Sequence, residues 1–252
     1  MPLKLMYITN SEDVAHIAEE AGVDRIFVDM EYIGKTDRQG GMDTVQSRHT
    51  ADDVRRLAQC LNKAELFVRV NPIHEKTDEY NSSKEEIDEA IEAGADLLML
   101  PYFKTAEEVQ TFVKYVNGRA KTVLLVETPE AAAIAEDLVQ IPGIDEMFIG
   151  LNDLSLGYGK NFMFELLLDG TVEELCLKFR KGGIPYGFGG IASLGKGMLP
   201  SEYVIKEHYR LGSACAILSR SFCRTGQVTD LKEIQKIFEI ELPKIRELEE
   251  EC

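Results

Sequence analysis

The chain has 252 residues, 44% hydrophobic and 29% charged, with a formal net charge of -16; such a composition supports a sizeable buried core and excludes a disordered or low-complexity polymer. The acidic balance opposes nucleic acid and anionic membrane as partners, because both would repel the surface as a whole. No segment reaches the roughly 18 apolar residues of a membrane span, the start MPLKLMYITN has no signal-peptide run, and five cysteines form no CxxC pair, so the expectation is a cytoplasmic protein with reduced thiols.

In chain order, a first apolar run LKLMYIT (3–9) precedes SEDVAHIAEEAG, where Ser11 has the place of a helix N-cap. RIFVDM (25–30) is followed by the long loop 32–49 and then by TADDVRRLAQCL, with Thr50 as cap and Asp53 three residues on. ELFVRV (65–70) leads to SKEEIDEAIEAG with Ser83 as cap, and LLMLP (97–101) to TAEEVQTFVKYV with Thr105 as cap. TVLLVE (122–127) leads to TPEAAAIAEDLV, EMFIG (146–150) to TVEELCLKFRKGG, PYGFGG (185–190) to PSEYVIKEHYRLG, and CAILSRSF (215–222) to a terminal helix over 229–250. Gly22, Gly94, Gly118, Gly182 and Gly212 stand where C-terminal caps would. Eight strands alternating with helices predict a single (β/α)8 TIM barrel over residues 1–252, with a doubly wound open sheet as the alternative. Pro243 predicts a kink or break in the last helix. That helix either ends in a solvated acidic run or packs on a neighbouring subunit.

In a barrel, side chains at the C-terminal strand ends converge on one mouth. Strand two offers Asp29 and Glu31 there, strand three Arg69 and Asn71, strand five Glu127, and the loop after strand six Asp153; Arg220 follows strand eight. Adjacent strands lie about 4.8 Å apart, so Glu127 and Asp153 can reach one ion, and two hard carboxylates suit Mg²⁺ or Mn²⁺ better than zinc. The structural alternative is that Glu127 caps the helix at Pro129 and Asp153 caps a turn with Ser155. A guanidinium at the inner end of a strand needs an anion, either a substrate oxygen or Asp29 or Glu31 as ion-pair partner.

The pieces VDMEY, VRVN, GADLLMLP, VET and GIDEMFIGLNDLS, in this order between about residues 14 and 160, resemble the HpcH/HpaI aldolase and citrate lyase beta-subunit family. The resemblance implies a (β/α)8 barrel assembled as a homo-oligomer, a trimer or hexamer, that uses Mg²⁺ or Mn²⁺ to make or cleave carbon–carbon bonds beside a 2-oxo acid or acyl thioester. It implies Glu127 and Asp153 as metal ligands and Arg69 as the arginine that contacts the keto or enolate oxygen. Asp29 is then the acidic member of the proton relay, and Glu31, Pro101, Leu151 and Asn152 line the substrate position.

Two departures stand out. Where pyruvate aldolases of the family have a histidine three residues after the strand-two aspartate, this chain has Tyr32, and a phenol with an ordinary pKa near 10 is a poor base at neutral pH. His49 can substitute if the loop folds over the mouth; otherwise it is an idle surface histidine. The long loop itself carries Lys35, Arg38, Arg48 and His49, which either meet an anionic substrate group or belong to a solvated or subunit-contacting loop. The glycines of GFGGIASLGKG read as a close backbone approach at the mouth. The leading expectation is a metal-dependent aldolase that acts on a pyruvate- or oxaloacetate-like 2-oxo acid, with an aldehyde as second substrate, through a metal-stabilised enolate. The alternatives are an acyl-CoA lyase, for which the asparagine and proline of VRVNP speak, and a non-catalytic binding barrel.

Overall fold

The computed structural model describes residues 1–35, 48–225 and 227–252. Eight parallel strands close in sequence order into a barrel: β1 Lys4–Ile8, β2 Arg25–Asp29, β3 Glu65–Arg69, β4 Leu97–Leu100, β5 Lys121–Val126, β6 Glu146–Ile149, β7 Tyr186–Ile191 and β8 Cys215–Leu218. The predicted (β/α)8 architecture is therefore the observed one, and the open-sheet alternative falls. Each strand is buried on both faces, as parallel strands sheathed by helices must be. Alternate residues point inward, and Met6, Phe27, Phe67, Leu97, Met99, Val123, Leu125, Phe148 and Cys215 fill the inner core.

The helices are α1 Glu12–Glu20, α2 Ala51–Cys60, α3 Ser83–Glu92, α4 Ala106–Val116, α5 Pro129–Ala133, α6 Ala135–Leu138, α7 Leu151–Gly157, α8 Glu165–Leu168, α9 Thr171–Gly182, α10 Ser201–Leu211 and α11 Leu231–Glu250. Ser11, Thr50 and Thr105 cap α1, α2 and α4 as expected. The cap of α3 is Ser82 rather than Ser83: its hydroxyl accepts the Glu85 N–H and Glu85 closes the box, which leaves Ser83 to bond the His74 N–H. Similarly, Gly183 rather than Gly182 takes the left-handed cap of α9, at φ 71°. The stretch predicted as one helix after β5 divides at Ile134 into α5 and α6.

Strand β8 ends at Leu218, four residues before the expected limit, because the chain turns at Ser219 to Phe222. Pro243 does not divide α11, which runs continuously for 20 residues. Its apolar face, with Ile234, Phe238, Leu242 and Ile245, is buried in its own chain. Glu249 in its last turn accepts the Leu3 N–H at 2.8 Å, and Arg246 donates to the Leu3 carbonyl at 2.8 Å, tying the helix to the approach of β1. The closest glycine approach in β7 is lower than expected: a Cβ on Gly187 would lie 2.2 Å from the Cys215 carbonyl oxygen, at the start of β8 rather than at the mouth. No helix among the described residues is long and apolar enough to cross a membrane.

Candidate active site

Register builds the mouth from the strand ends. β2 and β3 pair with Asp29 opposite Arg69, and β5 and β6 pair with Val126 opposite Ile149, so Glu127 and Gly150 each follow directly. Asp29 is buried and acts as a hub. It accepts from Arg69 Nε at 2.8 Å and Arg69 Nη2 at 2.7 Å, and from Lys35 Nζ at 2.6 Å. The Glu31 N–H reaches the same carboxylate at 3.2 Å. Glu31, also buried, lies 3.3 Å from Arg69 and 3.5 Å from Lys35. Burial opposes the Asp29 charge, but Arg69 and Lys35 outweigh it and hold the carboxyl far below the ordinary carboxylate range. For Arg69, burial works against the cation while Asp29 and Glu31 fix it in the charged form. Both anionic partners considered for Arg69 are thus present together, and the guanidinium plane is fixed by a bidentate bond.

Glu127 is buried, and its Oε1 accepts the Tyr102 N–H at 3.0 Å. Tyr102 follows the buried Pro101 and has φ 48°, a conformation that costs a non-glycine residue energy and here aims the amide at the carboxylate. Glu127 does not cap the following helix. Thr128 does so, with its hydroxyl accepting the Ala131 N–H and Pro129 in the first turn. On the other side, a Cβ at Gly150 would stand 2.9 Å from Glu127 Oε2; glycine keeps a side chain of its own off this oxygen.

Asp153 lies three residues beyond Gly150, half-buried in the first turn of α7. The Ser155 hydroxyl nearby donates to the Asn152 carbonyl at 2.7 Å. Leu151 is buried against Gly189, and Asn152 is half-buried beside it. Two carboxylates, with no Cβ at Gly150 to crowd one of them, are hard oxygen donors that fit a divalent cation such as Mg²⁺ or Mn²⁺.

The remaining candidates separate. Tyr32 is exposed, its ring 5.3 Å from that of Tyr80. Burial, Glu86 and Tyr80 together push its phenol further up. It lines a cavity of about 430 Å³ with His49, His74, Tyr80 and Glu86, and Asp29, Arg69 and Glu127 are not among the lining residues. His49 accepts the Asp29 backbone N–H on Nδ1 at 3.0 Å, so it is neither idle nor out in solvent. Burial lowers its pKa despite Asp29 and Asp53.

Lys35, read either as meeting a substrate anion or as part of a solvated loop, is buried and held by Asp29 at 2.6 Å and Glu31 at 3.5 Å. Arg48 and Arg220 are exposed, and Arg38 lies outside the described residues. Asn71 is buried; its Oδ1 accepts the Tyr32 and Ile33 N–H groups and its Nδ2 donates to Glu86 at 2.7 Å. It therefore pins the chain leaving β2 onto α3. Sequence reasoning did not find Tyr102, Gly150 or Glu86 as parts of this site. Only Gly150 carried a signal, as a glycine directly after a buried strand.

The sequence pattern described as HpcH/HpaI aldolase/citrate lyase matches residues 4–167. Comparison with curated protein sequences gives no match. Among solved structures, an HpcH/HpaI aldolase/citrate lyase family protein from Burkholderia cenocepacia J2315 superposes with a TM-score of 0.69 at 16% identity, over 93% of this chain and 95% of its own. An HpcH/HpaI aldolase from Desulfitobacterium hafniense DCB-2 gives 0.66 at 15% identity over 93% of both chains. A citrate lyase from Burkholderia xenovorans LB400 gives 0.63 at 14% identity, over 94% of this chain and 78% of its own. At such identities the likeness to these structures is one of fold.

Proposed function

The chain belongs to the HpcH/HpaI aldolase/citrate lyase family, and from that premise we propose that it is a divalent-metal-dependent carbon–carbon lyase that acts on a free 2-oxo acid, pyruvate- or oxaloacetate-like, with an aldehyde as partner. The observation that carries this reading is the pairing of a buried Glu127, on which Gly150 places no Cβ, with a guanidinium that Asp29 fixes at the end of β3 and that feels the Glu127 charge. Glu127 and Asp153 would hold Mg²⁺ or Mn²⁺. When bound, such an ion supplies Lewis-acid polarisation of a carbonyl oxygen.

The protein's own residues do the rest. Tyr102 fixes the Glu127 carboxylate through its N–H. Asp29 holds the Arg69 plane, and Arg69 offers a preorganised positive charge where the keto oxygen becomes an enolate oxygen. Leu151 and Pro101 are buried beside these groups and limit water around the reacting carbon.

Acyl-CoA lyase activity is the alternative, and turnover of acyl-CoA esters against free 2-oxo acids separates the two. Assembly into a homo-oligomer is part of the proposal, and light scattering on the purified protein checks it. The direct test of activity is deuterium exchange at C3 of pyruvate and 2-oxobutyrate, followed by proton NMR in D₂O with Mg²⁺, with Mn²⁺ and with EDTA. Exchange that requires the metal supports the reading; its absence with metal and oxo acid both bound rejects it.

A further inference from the structure

Carbon–carbon chemistry through an enolate needs a group that carries a proton to and from C3, and three obvious carriers near the mouth are disabled by geometry. The Asp29 carboxylate already accepts from Arg69 Nε and Nη2, Lys35 Nζ and the Glu31 N–H, and a carboxylate so supplied is a weak base. His49 receives the Asp29 N–H on Nδ1, so its lone pair is occupied and its proton sits on Nε2. Tyr32 stands against Tyr80 in the outer cavity.

Lys35 remains. At 4% exposure it is the one buried lysine among the described residues. Burying an ammonium is costly and is a recurrent sign of a working lysine. Its Nζ and Arg69 Nη2 share a single acceptor, Asp29 Oδ2, at 2.6 and 2.7 Å. The two cations therefore end side by side at the C-terminal end of β2, within reach of one small substrate.

Resting on the aldolase reading above, we propose that Lys35 is the acid/base group of the mouth. Its ammonium gives up a proton as the C3–H bond forms and the enolate electron pair leaves the C2–C3 double bond, and the resulting amine is reprotonated by water. In the reverse direction the amine takes the C3 proton, and the C–H electron pair passes into the C2–C3 bond. Asp29 and Glu31 are then positioning residues that hold the nitrogen in place.

The test is C3 deuterium exchange of pyruvate with Mn²⁺, for the parent chain, Lys35→Ala and Lys35→Arg, with Mn²⁺ binding and circular dichroism measured on each. Lys35→Ala is expected to slow exchange by about 10²- to 10⁴-fold with Mn²⁺ binding unchanged. Lys35→Arg keeps the charge between Asp29 and Glu31 but cannot release a proton, and is expected to be as slow. Added primary amines, from methylamine to trifluoroethylamine, should restore exchange to Lys35→Ala in the order of their basicity.

Parental exchange in either variant overturns the proposal, as does failure of every amine to rescue a folded Lys35→Ala. Should Lys35→Ala not fold, the rate of Lys35→Arg decides alone: a slow rate supports proton transfer, a parental one means that only the charge matters. A parent chain that binds Mn²⁺ and the oxo acid but exchanges no deuterium rejects the aldolase reading itself.

Discussion

On β2 the inward residues from floor to mouth are Arg25, Phe27 and Asp29, and on β3 they are Glu65, Phe67 and Arg69, paired one to one by register. The two strands thus carry an arginine–carboxylate pair at each end, in opposite polarity, with the Phe27 and Phe67 rings 4.7 Å apart between them. Arg25 lies 5.8 Å from the Phe67 ring and Arg69 lies 5.7 Å from the Phe27 ring. What separates the ends is β6. At the floor it presents Glu146, which crosses the barrel to Arg25 at 2.7 Å; at the mouth it presents Gly150, which has no side chain to cross with. One end is a plug bridged from wall to wall; at the other, Arg69 meets Asp29, Glu31 and the charge of Glu127. A buried ion pair does not of itself mark chemistry, and here the chemistry is proposed at the end where β6 contributes a glycine in place of a carboxylate.

The largest expected effect is at the floor. Arg25→Met leaves Glu65 and Glu146 without their shared cation and should cost about 3–5 kcal/mol of stability, read as a lower urea midpoint, while exchange per folded molecule stays at the parental level. At the mouth the pattern should invert: Glu127→Gln is expected to lower metal-dependent exchange by about 10²- to 10³-fold with a much smaller shift of the urea midpoint. If both variants lose stability and activity together, the two ends are not separate devices.

Acid sharpens the contrast. His208 of α10 is stacked on Phe188 with ring centroids 3.8 Å apart, its Nδ1 bonded to the Ser213 hydroxyl at 2.8 Å, and burial pushes its pKa down to about 3 from an ordinary 6.5. The unfolded chain binds a proton below about 6.5 that the folded chain refuses until about 3. Stability is therefore complete above that window and falls through it as the pH drops, by at most about 1.4 kcal/mol per unit.

Asp29, with its folded value depressed, loses its contribution only below the ordinary carboxylate range near 3.8, so its carboxylate is silent between pH 6.5 and 4, whereas His49, whose pKa burial also lowers, adds to the slope with the same sign as His208. Urea midpoints of the parent and of His208→Gln across that range should differ in slope; equal slopes would place the titrating group elsewhere. The smallest effect expected is that of Gly150→Ala, whose Cβ would press on Glu127 at 2.8 Å. It should weaken Mn²⁺ binding about 10-fold, as displaced supporting contacts do, and calorimetric titration measures it.

The barrel was legible because parallel strands buried on both faces leave uninterrupted apolar runs, and because helix caps such as Thr50 and Thr105 act within four residues of chain. Strand-end position also pointed to Asp29, Arg69, Glu127 and Asp153 as residues near the mouth without any contact being known. What sequence could not give was partnership across the fold. That Lys35 would be buried on Asp29, that His49 would spend its lone pair on a backbone amide, and that Asn71 would hold the chain after β2 all depend on where a long loop and two helices come to rest. The Ser82 for Ser83 exchange at the start of α3 has a similar cause: each of the adjacent serines has a glutamate three residues on, and Ser83 and Glu86 are drawn off to His74 and Asn71, which leaves Ser82 and Glu85 to close the box.

The tie between Glu249 and Leu3, 246 residues apart, has a consequence for how the chain acquires its shape. Together with the β1 to β8 pairing, which aligns Lys4 with Cys215, it places the last seam of the ring at the greatest possible sequence separation. Such contacts form slowly, because the loop they close must first be organised. During synthesis the free edge of β1 has to wait for nearly the whole chain to emerge, and the unclosed sheet is the stage most exposed to wrong strand partners. The rate at which this protein matures, and its tendency to aggregate on the way, should be governed by that one seam.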